Sequence, residues 1–272
     1  MRCHVGDNVG VAHEELSIGT GDVVVTIAPA EGGRLARIDV GGVELLVARG
    51  GQPGSALAWG SYPMVPWAGR IRDGRFRFRG RFHDLPLTLG PHAIHGVGFI
   101  SAWQVVGHDD SSARLELTLP RDARWPFGGV ARQHVVVADG RVRLVLEVTA
   151  EDRAFPASIG WHPWFRKPSR LDFRPTAMYR RDEHHIAVDE LVEVPPGPWD
   201  DCFVNDRPVE IVVDGQAVRL TSDCTTWVVH DEPAHATCIE PQTAPPDAFN
   251  LAPDVLEPGE TLDAWYELTL RG

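Results

Sequence analysis

Val135-Val136-Val137-Ala138-Asp139-Gly140-Arg141-Val142-Arg143-Leu144-Val145-Leu146-Glu147-Val148-Thr149 decides the fold class. After the Asp-Gly pair, Val142, Leu144, Leu146 and Val148 share one face. Arg143, Glu147 and Thr149 share the other. That period of two is the mark of a half-buried strand. Asp-Gly between two apolar runs predicts a tight hairpin, because the turn needs positive φ and glycine takes it without steric cost. Asp214-Gly215 repeats the device between Val209–Val213 and Ala217–Leu220. Arg114–Leu119 alternates in the same way, and Leu262, Ala264, Tyr266, Leu268 and Leu270 predict a closing strand. No segment keeps a helical period for three turns. Only a short stretch around Ser55–Trp59 is a modest helix candidate. Without alternating βαβ units, a Rossmann or TIM architecture is excluded. The expected fold is all-β, a large antiparallel β-sandwich whose long loops carry function.

Composition agrees. The 272 residues are 43% hydrophobic and 24% charged, with 27 glycines and 22 prolines. The apolar content is too high for disorder, and the glycine and proline density suits many turns. Pro195-Pro196-Gly197-Pro198 is short and reads as a loop, so residues 1–272 are expected to form one domain. The net charge of −12 argues against nucleic acid and anionic membranes as partners. No stretch approaches the length of a membrane span. The N-terminus carries charges where a signal peptide needs its apolar core, so a cytoplasmic location is expected. Cys3, Cys202, Cys224 and Cys238 form no CxxC pair and predict reduced, small apolar residues rather than a zinc site.

Four segments do not read as ordinary strand or turn: Pro66–Phe76, His92–Phe99, Gly160–Phe165 and Ile239–Asn250. In the third, His162 is set among Trp161, Pro163, Trp164 and Phe165. A histidine so restrained suits a general acid, and equally a core histidine bonded to a carbonyl. Rings beside polar groups also suit a sugar. Glu240 ends a predicted strand before a proline-rich loop, where a glutamate suits a general base; the plain alternative is a surface carboxylate. Asp200 and Asp201 offer an acidic pair that equally suits turn capping. Arg70, Arg72, Arg75, Arg77, Arg79 and Arg81 are dense. From Arg75 onward they alternate with Phe76 and Phe78, as in a strand with one basic, solvated face. Arg70 stands apart, in the approach to that strand. His92 and His95 with a glutamate raise the question of a metal. No HExxH or denser histidine grouping appears, so no metal and no cofactor are expected.

Taken together, the segments resemble the aldose 1-epimerase (mutarotase) family. The residues that carry the resemblance are Gly69-Arg70-Ile71 with Gly74-Arg75-Phe76, Ile94-His95-Gly96, His162-Pro163-Trp164-Phe165, Asp201 with Phe203, and Glu240-Pro241 with Thr243 and Asn250. It covers about residues 20 to 270 and implies the galactose mutarotase-like sandwich. It also implies a free monosaccharide as substrate, with α and β anomers interconverted through ring opening and closure. By resemblance Glu240 is the base and His162 the acid. His95 assists at the sugar oxygens, and Arg70 and Asp201 hold hydroxyls. The chain departs from the common pattern at Gly69, Val97 and Trp164, all in the hydroxyl-binding shell. Two other readings share the fold: a hexose-6-phosphate epimerase using the arginine run, and a non-catalytic sugar-binding regulator. A glycoside hydrolase fits worst, because it would want two carboxylates.

Overall fold

A computed structural model describes residues 15–50, 56–184 and 186–271. It is 56% strand and 5% helix. The expected hairpins form. Val130–Ala138 pairs with Arg141–Thr149, and both turn residues have positive φ, 50° at Asp139 and 68° at Gly140. Asp214 and Gly215 turn in the same way between Val209–Val213 and Gln216–Ser222. Thr261–Arg271 closes against Arg141–Thr149 with Ala264, Tyr266 and Leu268 buried. The Ser55–Trp59 candidate is not a helix over its described part, which is turn and bend; Ser55 lies outside the described residues. The one described α-helix, Ala248–Leu251, follows Glu240 by eight residues in a stretch expected to be loop.

Two large antiparallel sheets make up the sandwich. One has eight strands, running from Gln104–His108 across to Arg170–Asp172. The other has eleven, and its middle is the order Ser61–Met64, Gly160–Arg166, Ala236–Gln242, Thr226–His230, Asp200–Val204. The sheets meet through apolar side chains of alternate positions. Tyr266 of the smaller sheet lies 5.9 Å from the Trp161 ring and 6.3 Å from the Trp227 ring. The proline-rich stretch at 195–198 joins two strands of the same sheet. Cys202, Cys224 and Cys238 are free and buried; Cys3 lies outside the described residues. No described helix is long and apolar enough to cross a membrane.

What matters for function is parity. Trp161, Phe165, Phe203, Trp227 and Ile239 are all buried in the core between the sheets. Their neighbours one residue along therefore leave the opposite face of the larger sheet. That opposite face carries His162, Trp164, Val228, His230 and Glu240.

Candidate functional site

The middle strands set these side chains in two rows. In the first, Tyr62 pairs with His162, and Val228 pairs with both Glu240 and Cys202. In the second, Trp164 pairs with Cys238, Cys238 with His230, and His230 with Asp200. His162 Nε2 lies 3.1 Å from Glu240 Oε1. The imidazole is stacked on Tyr62 at 4.8 Å and on Trp164 at 5.4 Å. Two rings flanking a third leave it little rotational freedom, so the edge that meets Glu240 is held in place.

The other two segments come in from loops. Arg70–Ile71 pairs with Ala93–Ile94, and the His95 N–H donates to the Gly69 carbonyl at 3.0 Å. His95 itself has φ +59°, a conformation that is costly for a side-chain-bearing residue and persists only where neighbours impose it. Gly96 shows why the segment needs glycine. A Cβ there would sit 2.0 Å from the Val65 carbonyl oxygen, which accepts from Val97 and Gly98 N–H. The loop after Glu240 clamps the same region. Asp247 donates its N–H to the Arg70 carbonyl at 2.7 Å and accepts from Arg72 N–H at 3.0 Å. Asn250 donates to the Asp247 carboxylate, and Thr243 accepts from Ile159 N–H just before His162's strand. Of the residues that carried the resemblance, Thr243 and Asn250 thus do framework work.

Together these elements line a cleft of about 320 Å³, walled by Arg70, His95, His162, Asp200, His230 and Glu240. That is the lower end of small-molecule cavities. Of the arginine run only Arg70 reaches it. Arg72 is tied to Asp182 at 2.5 Å, Arg75 to Asp84 at 2.8 Å, and Arg79 to Glu257.

The structure places Asp201 elsewhere. Within Asp200–Val204, Asp201 takes the parity of Phe203 and binds Arg181 Nε at 2.7 Å. Asp200 takes the cleft side, 3.4 Å from His230 Nδ1 and 4.0 Å from Arg70. Asp200, not the expected Asp201, therefore lines the cleft. Sequence reasoning also passed over Tyr62 and His230, which line the cleft from strands with no distinguishing motif.

Electrostatics separates the cleft groups. Burial first, and the Asp200 charge second, push the Glu240 carboxyl well above its usual range. Burial, then His95 and His230, push His162 well below 6.5. Both shifts favour the uncharged pair, a carboxyl facing a neutral imidazole. It holds one transferable proton, the same number as a carboxylate facing an imidazolium. Burial and Arg70 lower His95 to about 3, so it is a neutral hydrogen-bonding group. Burial works to raise Asp200, but His230, Arg70 and Arg181 outweigh it and keep it ionised.

One stability consequence follows from these signs. A histidine whose folded pKa is lowered binds its proton in the unfolded chain first, so folding weakens as pH falls below 6.5. Glu240, raised, has the opposite slope above 4.5, and it offsets His162. His95 is left to set the slope contributed by the cleft between about pH 4.5 and 6.5. His95→Asn is expected to flatten unfolding free energy against pH there by about 1.4 kcal/mol per pH unit, in denaturant titrations at stepped pH. An unchanged slope would mean that His95 is not held neutral.

Comparison with known proteins fits this geometry. The aldose 1-epimerase family profile matches residues 15–269. The chain belongs to that family. The uncharacterised Escherichia coli K12 protein YihR is 24% identical over 280 residues, spanning 92% of this chain and 90% of YihR. Among solved structures, galactose 1-epimerase from Lactobacillus acidophilus NCFM superposes with a TM-score of 0.79 at 16% identity, covering 94% of each chain. A GalM/aldose epimerase homologue from C. elegans gives 0.80 at 16% identity, covering 95% of this chain and 99% of the other. At these identities the structures share the fold.

Proposed function

We propose that the chain is an aldose 1-epimerase, interconverting the α and β anomers of a free aldose. The observation that carries the reading is the buried His162–Glu240 pair, 3.1 Å apart, on the wall of a cleft of monosaccharide size. Anomerisation takes a proton from the C1 hydroxyl and puts one on the ring oxygen. The C1–O5 bond of the hemiacetal then breaks to give the C1 aldehyde and the C5 hydroxyl, the C1–C2 bond rotates, and the hydroxyl re-adds to the other face of the aldehyde. One base and one acid suffice. Glu240 as carboxylate accepts the hydroxyl proton, and His162 as imidazolium protonates the ring oxygen. Closure returns both protons, so the pair ends as it began. Because the resting pair already holds the one proton required, binding has only to redistribute it.

The remaining groups bind and orient. Arg70 offers a fork of donors, Asp200 an acceptor, and neutral His95 either. Asp200→Asn is expected to raise KM by roughly tenfold or more, since a charge-assisted bond is lost. Asp201→Asn is expected to leave KM within about twofold and to lower stability by about 1 kcal/mol through Arg181. If the two effects were exchanged in steady-state kinetics, the parity assignment would fail.

The phosphorylated-sugar reading loses its main support, because Arg75 and Arg79 are engaged on an exposed hairpin and only Arg70 of the run lines the cleft. Polarimetry of freshly dissolved α-D-galactose and α-D-glucose tests the proposal. The rotation should relax at a rate that rises in proportion to added protein.

A further inference from the structure

His95, His162 and Glu240 come from three separate segments, yet each offers a ligand atom within 4.8 Å of the other two. All three are at least nine-tenths buried, with 5%, 6% and 3% of their surfaces exposed. Nδ1 of His95 is buried without a hydrogen-bond partner. Buried nitrogens are normally paired, and an unpaired one signals an absent partner. Part of the explanation is a sugar hydroxyl, but the chemistry of the set points further.

Two imidazoles and one carboxylate are a donor set for a borderline-soft divalent metal, not for magnesium or calcium, which take oxygen. Zinc is held by two histidines and a glutamate elsewhere, with an open fourth position. At metal–ligand distances of about 2.0–2.2 Å, tetrahedral neighbours sit roughly 3.4 Å apart. The His162–Glu240 separation of 3.1 Å already meets that. A separation of 4.8 Å would have to close by about 1.4 Å, a movement that falls to the other two side chains, since Tyr62 and Trp164 hold the His162 ring.

We propose that His95, His162 and Glu240 also form a site for one zinc-class divalent cation, and that cation and aldose exclude each other from the cleft. The cation would be an inhibitor, because it occupies the lone pairs that proton transfer needs. The exclusion rests on the aldose reading; the cation site does not.

Calorimetric titration of the metal-free full chain with zinc chloride tests it, with magnesium chloride as the control. The titration is repeated in Glu240→Gln and in His95→Asn. Asparagine tolerates the left-handed backbone at position 95, so this variant keeps the fold. One zinc is expected to bind per chain at this site, at least about tenfold more weakly in each variant, with no heat from magnesium. Saturating D-galactose should weaken zinc binding in the wild type. Absence of zinc binding, or equal affinity in wild type and both variants, would overturn the site. Variant-sensitive binding that galactose leaves unchanged, in a protein whose polarimetry shows galactose turnover, would uphold the cation site and overturn the exclusion; the same result without turnover of galactose or glucose would count against the aldose reading.

Discussion

Glu240→Gln is expected to lower kcat for anomerisation by roughly 10²–10⁴-fold, the usual range for losing a positioned acid–base group. The reason is local. Glutamine keeps the shape and a hydrogen bond toward His162 but accepts no proton from a C1 hydroxyl. The fold should survive, because burial disfavours the charged form of this carboxyl and glutamine is a neutral amide of the same shape. Circular dichroism and the unfolding midpoint should therefore change little while turnover collapses. KM should move far less than kcat, since Arg70 and Asp200 still hold the sugar.

The second large effect is expected at His162. His162→Gln should lower kcat by a similar factor, roughly 10²–10⁴-fold. The double variant His162→Gln with Glu240→Gln should fall little below either single one. Groups that act as one unit are grossly non-additive, and here the unit is a single proton held between two side chains. Two independent catalysts would instead give losses that multiply. Stopped-flow polarimetry on the four proteins separates the cases. Multiplied losses would show that the residues do not share the proton.

Much of this was readable from residue order alone, for identifiable reasons. The hairpins at Asp139-Gly140 and Asp214-Gly215 were legible because positive φ restricts the residue choice and the flanking runs alternate cleanly. Arg75–Phe78 was legible as a strand with a basic outer face for the same reason; Phe76 and Phe78 are buried and Arg75 is exposed. His162 and Glu240 were marked as candidates by their aromatic and proline surroundings. The choice between Asp200 and Asp201 was not legible. Asp200-Asp201-Cys202-Phe203 does not alternate visibly, and a one-residue slip in parity carries a side chain to the other face of the sheet. Tyr62 was hidden because all four residues of Ser61–Met64 are buried, which erases the period. His230 ends a strand whose outward face meets a cleft rather than solvent, and that depends on strands 30 residues before it and ten after. The helix at Ala248–Leu251 is a single turn, preceded by Asp247, whose N–H donates to the Arg70 carbonyl, and is too short for any periodic signal.

The buried His162–Glu240 pair is expected to interconvert anomers by moving one proton. Exchange NMR between the α and β anomeric protons of D-galactose tests it most directly, with wild type and Glu240→Gln compared at equal concentration. Wild type should speed the exchange in proportion to its concentration, and folded Glu240→Gln should return it close to the buffer rate. A folded Glu240→Gln protein that exchanged the anomers at nearly the wild-type rate would contradict the account.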